Sequence, residues 1–113
     1  NAHGMRATVQ SLRDRFPGQK FVFLVSIMAD KDVDQMLSLL VPLAVRFVTV
    51  AAHTPRAMPA ETLAEHIRAY GCRAEAAASI EAGRRRPGMR TGHAVFLWRC
   101  AEGVCGTCEG LKI

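Results

Sequence analysis

The chain has 113 residues, half apolar and 22% charged, a composition that fits one folded domain with one core and excludes a disordered tail. Its longest apolar runs, such as Phe21 to Ile27, fall far short of the roughly 20 residues that span a bilayer, and no basic-then-apolar leader opens it; the expectation is a cytoplasmic protein with no membrane partner. The net charge of +5 is spread, +2 over residues 1–80 and +3 over 81–113, and the one basic cluster, Arg84-Arg85-Arg86 with Arg90, has no interleaved aromatic, so it reads as a solvated run and no nucleic acid is expected.

Asn1-Ala2 reads as the remnant of a cleaved tag, with the natural sequence starting at His3 as a piece of something longer. From His3 to Phe16, Met5, Val9, Leu12 and Phe16 fall on one helical face, and Pro17-Gly18 stops the helix. Lys20 to Ile27 is apolar almost throughout, as in a parallel strand buried on both faces. Asp32 is placed to cap a second helix, with Gln35 completing a capping-box-like pair. That helix turns Val33, Met36, Leu37, Leu40 and Ala44 inward, and Pro42 should bend or remove its last turn. Arg46 to Ala51 is a second buried strand.

A loop with His53, Pro55 and Arg56 leads to Pro59, in the first turn of a third helix that presents Leu63, Ile67 and Tyr70 on one face and ends at Gly71. Cys72 to Ala77 is a weaker strand, Ser79-Ile80-Glu81 opens a helix that Gly83 and the arginines soon spoil, and Ala94 to Trp98 is the last strand. Such alternation gives one α/β domain over 1–113, Rossmann-like, with a mostly parallel sheet flanked by helices.

Ligands of such sheets gather at the carboxyl ends of the strands. Two loops fall there. In Asp30-Lys31-Asp32, two carboxylates and an ammonium can meet a metal-bound phosphate or an amino acid; the plainer reading is a cap and two solvated charges. In the loop from His53 to Arg56, Arg56 can pair with a carboxylate or phosphate and His53 can carry a proton, though both are residue types common on any surface. His3 opens a helix, where anions are favoured; His66 and His93 read as structural or exposed. There is no glycine-rich phosphate loop and no nucleophile elbow. Cys72 reads as a small buried apolar residue, whereas Cys100, Cys105 and Cys108 form C-x4-C-x2-C, the local spacing of a plant-type iron–sulfur loop or of part of a zinc site, but without a downstream fourth cysteine.

Three segments carry a resemblance that reaches from His3 to about Glu81: HGMRATVQSLRDRFPGQK, FVFLVSIMADKDVDQMLSLL and HTPRAMPAETLAEHIRAYG. They resemble, in order, the helix after an AHNP motif, the strand with a DKD loop and ML helix, and the Pro-Arg-Ala step of the C-terminal domain of folylpolyglutamate and dihydrofolate synthases, in the Mur-type ligase superfamily. The resemblance implies an ATP-dependent amide ligation in which a folate γ-carboxylate is phosphorylated and the amine of L-glutamate attacks. ATP and Mg would be bound mainly by an N-terminal ATPase domain absent here. This chain would be the lid, inactive alone, with the loops at Asp30 to Asp32 and His53 to Arg56 facing the cleft. The family's ATP-touching Asp and His before the first helix are missing, and residues 82–113 depart from its pattern as an out-of-frame end would. A freestanding flavodoxin- or receiver-like module, with Asp30 its single acceptor candidate, and an iron–sulfur or redox protein built on the cysteines are the alternatives.

Overall fold

A computed structural model describes residues 2–29, 32–87, 89, 94–97 and 104–107, with only the backbone of 2, 3, 94–97 and 104–107. Helix α1 (Ala2–Arg15) buries Met5, Val9 and Leu12, as their spacing requires, and Phe16 packs on the same cluster just past its end. Gly18, at φ +77°, takes the left-handed conformation that turns the chain into the sheet. Strand β1 (Phe21–Val25) is buried at all five positions.

Asp32 caps α2 (Val33–Leu40): the Gln35 N–H donates to its Oδ1 at 3.0 Å. Pro42 ends that helix. The chain tightens into a 3-10 turn over Val41–Leu43, and Ala44 opens β2 (Ala44–Thr49) rather than extending the helical face. Pro59 immediately precedes α3 (Ala60–Arg68), and Gly71, at φ +79°, follows its frayed end. β3 (Ala74–Ala76), α4 (Ile80–Arg84), β4 (Ala94–Leu97) and β5 (Val104–Thr107) complete the order. Ser79 caps α4 by accepting from the Ala82 N–H at 3.0 Å.

The sheet runs β3-β2-β1-β4-β5. β1 pairs in parallel with β2 and β4, β2 in parallel with β3, and β5 is antiparallel to β4. The fold is therefore the expected α/β sheet, mostly parallel, with an antiparallel edge strand that the sequence did not announce. Alternation along β1 sorts the core into two clusters. Phe21, Phe23 and Val25 meet α1, α2 and α3 on one face; Val22 and Leu24 meet Val48, Val50, Ala77 and the residues of α4 on the other. Rings step across the first face, Phe16 to Phe21 at 5.8 Å and Phe23 to Phe47 at 5.4 Å between centroids.

One expectation needs refining and two need correcting. α4 does end early, at Arg84 in the arginine run, but Gly83 lies inside it and lets it lie on the sheet. A Cβ there would stand 2.7 Å from Cδ1 of Leu24 and 3.4 Å from Cγ1 of Val48. The arginine run is not wholly solvated. Arg86 donates to both Glu75 Oε2 (3.5 Å) and the Ala76 carbonyl (3.2 Å), while Arg46 holds the other Glu75 oxygen at 2.7 Å and also donates to the Pro87 carbonyl. This cluster ties the end of α4 to β2 and β3. Tyr70 does not join Leu63 and Ile67 in the core. It lies past the end of α3, 39% exposed, and its hydroxyl contacts both the carbonyl and Oδ1 of Asp34 at 3.1 Å. Cys72 packs half-buried on the core, and that burial pushes its thiol above the usual range.

Two consequences are measurable. Gly83→Val should cost about 1–3 kcal/mol by overpacking, lowering the melting temperature by several degrees, with Gly83→Ala milder because alanine favours the helix. An unchanged melt for the valine variant would mean that α4 does not approach β1 this closely. Desolvation and the Asp34 carboxylate raise the Tyr70 phenol above its ordinary value, with Asp32 adding to the field. A raised acid favours the fold below its unfolded pKa and loses that contribution as pH climbs through the folded one. Ultraviolet titration should show Tyr70 ionising late, and Asp34→Asn should bring it back toward the normal range.

Candidate functional site

Both candidate loops leave the carboxyl edge of the sheet. The chain runs one way across it from β1 to β2 to β3, then returns to the other side of β1 as β4. The carboxyl end of β1 thus lies at a topological switch point. From there the chain passes through Ser26, Ile27 and Met28, all buried, to Ala29, which is exposed. Asp30 and Lys31 come next in sequence and lie outside the described residues.

The structure joins what the sequence left as two separate loops. The Ala29 N–H donates to the Arg56 carbonyl at 2.7 Å, and the Met58 N–H donates to the Ile27 carbonyl at 3.1 Å. These bonds make an antiparallel bridge between Met28 and Ala57. Met28 and Met58 are buried at 8% and 7% exposure, so each loop is anchored by an apolar side chain as well as by its backbone. The main chain of Arg56 consequently sits one residue from the start of the Asp30-Lys31-Asp32 segment.

Within the second loop, Thr54 organises a tight turn. Its N–H donates to the Ala52 carbonyl at 2.8 Å, its carbonyl accepts from the Ala57 N–H at 3.1 Å, and its Oγ1 accepts from the Arg56 N–H at 3.3 Å. His53 and Arg56 flank this turn, and both are exposed. At the base of the loop, Thr49 is fully buried and its hydroxyl donates to the Ala60 carbonyl at 2.7 Å. Sequence reasoning passed over both threonines. The available signal was a polar residue at position 49 set between the apolar Val48 and Val50.

Of the other candidates, Asp32 is exposed and acts as the α2 cap. His3 belongs to the first turn of α1, its side chain outside the described residues, as are Cys100 and Cys108; Cys105 contributes backbone to β5. His66 Nδ1 and Asp34 Oδ1 stand 3.9 Å apart, between α3 and the first turn of α2. Among the described residues no three His, Cys, Asp or Glu side chains gather as a metal-binding group. The described part of the site therefore offers an exposed guanidinium, an imidazole and a carboxylate on a clipped pair of loops, and no metal cage. A shallow notch of about 70 Å³ lined by Arg46, Phe47, Arg73, Ala74 and Glu75 lies between the middle of β2 and the start of β3. No helix among the described residues is long and apolar enough to cross a membrane.

The family model of the Mur ligase, glutamate ligase domain, matches residues 1–97. The matched span runs through β4. Among solved structures, Mycobacterium tuberculosis folylpolyglutamate synthase complexed with ADP and AMPPCP is similar at 26% identity and TM-score 0.70, over 87% of this chain and 25% of that one. The bifunctional folylpolyglutamate synthase/dihydrofolate synthase of Yersinia pestis, complexed with AMPPNP and Mn ion, is similar at 24% and 0.69, over 87% of this chain and 23% of that one. E. coli FolC in complex with ADP is similar at 20% and 0.67, with the same coverage. The last two likenesses are of fold alone. The chain spans about a quarter of the length of these structures. No curated protein matches it.

Proposed function

Because the chain belongs to the Mur ligase, glutamate ligase domain family, we propose that it is the C-terminal lid of an ATP-dependent amide ligase that adds L-glutamate to folate. The observation that carries this reading is the coincidence of the family match with a pair of charged loops clipped together at the switch point of the sheet. The nucleotide analogues bound to the similar synthases support a nucleotide on this side of the chemistry.

In that reaction the terminal phosphoryl group of ATP passes to the γ-carboxylate of folate's glutamate, releasing ADP. The amine of the incoming glutamate then attacks the acyl phosphate, and inorganic phosphate leaves as the amide forms. The phosphate loop, the Mg²⁺ ligands and the folate site are assigned to an N-terminal ATPase domain. This chain supplies charge and closure. Arg56 offers a planar pair of donors to a carboxylate or phosphate, and Lys31 a compact ammonium. Asp30 and Asp32 offer acceptors to an amine, while Asp32 also keeps α2 capped. His53 can take the proton that the attacking amine sheds. Bringing these groups over the cleft gathers two substrates and shuts out the water that would otherwise hydrolyse an acyl phosphate.

The test is a glutamate-addition assay on the whole gene product with ATP, a folate monoglutamate and L-glutamate. Wild type should lengthen the folate and release ADP. Arg56→Ala and Lys31→Ala should each lower kcat/KM by about 10- to 100-fold, the loss expected for one charge-assisted contact. The 113-residue chain alone should release no ADP. Full activity in both variants would remove these residues from the site, and an inert whole product would remove the proposed reaction.

A further inference from the structure

Thr49 is the last residue of β2, two positions on from Phe47 and so on the same face of the strand, and it is fully buried. A hydroxyl in such a place needs a partner, because burying it unpaired is costly. Two carbonyls lie within its reach, that of Ala60 at 2.7 Å, at the first residue of α3, and that of Glu75 in β3 at 3.5 Å, and the shorter contact is the stronger. Residues 49 and 60 bracket the loop that carries His53 and Arg56. The bond therefore ties the two ends of that loop together beneath the exposed turn. Thr54 fixes the turn itself through the Arg56 N–H, and the Ala29 N–H fixes the far side through the Arg56 carbonyl. Arg56 is thus held through base, turn and bridge.

We infer that Thr49 is a positioning residue: its buried hydroxyl presets the 50–59 loop, and with it the backbone that carries Arg56 past Ala29, for the contact with the carboxylate of the incoming amino acid. The inference rests on the proposed reading of Arg56 as a substrate-facing residue. Its physical content is preorganisation. A loop already closed at its base loses little further conformational freedom when an anion binds, whereas a loose loop must be ordered at each turnover. Valine matches threonine in shape but cannot donate, so Thr49→Val removes the bond with little change in volume. Serine keeps the donor.

Kinetics and amide hydrogen exchange on the whole gene product separate the possibilities. Thr49→Val should raise KM for glutamate about tenfold while KM for ATP moves less than about twofold, and Thr49→Ser should restore the wild-type value. On an Arg56→Ala background, Thr49→Val should add less than about twofold, since the effect runs through Arg56. The amides of Ala29 and Met58 should exchange at least about tenfold faster in Thr49→Val and unchanged in Arg56→Ala. Should Thr49→Val fail to fold, Thr49→Ala carries the same test, with Thr49→Ser as the control that keeps the donor. A normal glutamate KM in Thr49→Val beside a damaged Arg56→Ala overturns the positioning role alone. So does an equal KM increase with and without the Arg56 side chain. A silent Arg56→Ala overturns the substrate role of Arg56, and the positioning role with it.

Discussion

The structure depends on β1 being buried on both faces. Phe23, Leu24 and Val25 have no exposure at all, and each such side chain contributes about 1.5–3 kcal/mol by leaving water. A strand of this kind cannot sit at an edge. It must have a neighbour on each side and helices above and below, and it has β2 and β4 beside it, α1 to α3 on one face and α4 on the other. The second cover is thin, since α4 spans only Ile80–Arg84. It works because Gly83 lets the helix backbone come down onto Leu24, and because the Arg46–Glu75–Arg86 cluster holds its end. That cluster is half open to water, so its contribution is modest, and its value is in fixing where α4 ends.

The same constraint makes the site. With both faces of β1 covered, the first freedom the chain has is at its carboxyl end, where strand pairing stops and charged residues can face solvent. The loops there are not left free. A two-bond antiparallel bridge and two buried methionines join the residues after β1 to those after β2. One polar side chain inside the fold serves that joint. Thr49 gives up a place in the apolar row so that the loop above it closes.

Much of this was legible in the sequence, for identifiable reasons. The 3-4 spacing of Met5, Val9 and Leu12, the unbroken apolar run at β1, the cap at Asp32 and the stop at Pro42 are local signals, and local physics decides them. The misses share a different cause. Tyr70 has the right spacing for the α3 face, but the helix ends before it and its hydroxyl finds Asp34 across the fold. Arg86 lies in a run that looks solvated until Glu75, far away in sequence, is brought beside it. β5 pairs antiparallel to β4 with a register shift beside Leu97, a pairing that no alternating pattern in its short sequence announces. The bridge between the candidate loops was invisible for the plainest reason. Its bonds run from main chain to main chain, and main-chain groups are the same at every residue.

This also bears on what such a half-site can do by itself. Arg56 and His53 are exposed, and the bridge fixes the backbone beneath them rather than enclosing a ligand. A guanidinium in water pairs weakly with a carboxylate, because solvent competes for both partners and the pair is screened. The same guanidinium pressed against a second surface meets its anion in a much lower dielectric, where the contact is several times stronger. On the proposed reading, closure of this domain over an ATPase partner is what turns the exposed Arg56 into part of a working site. The preset loop then matters most at the moment of closure. Its geometry is already correct, so the domain can close by rigid-body motion, and the free energy of substrate binding goes into closing it rather than into folding a loop.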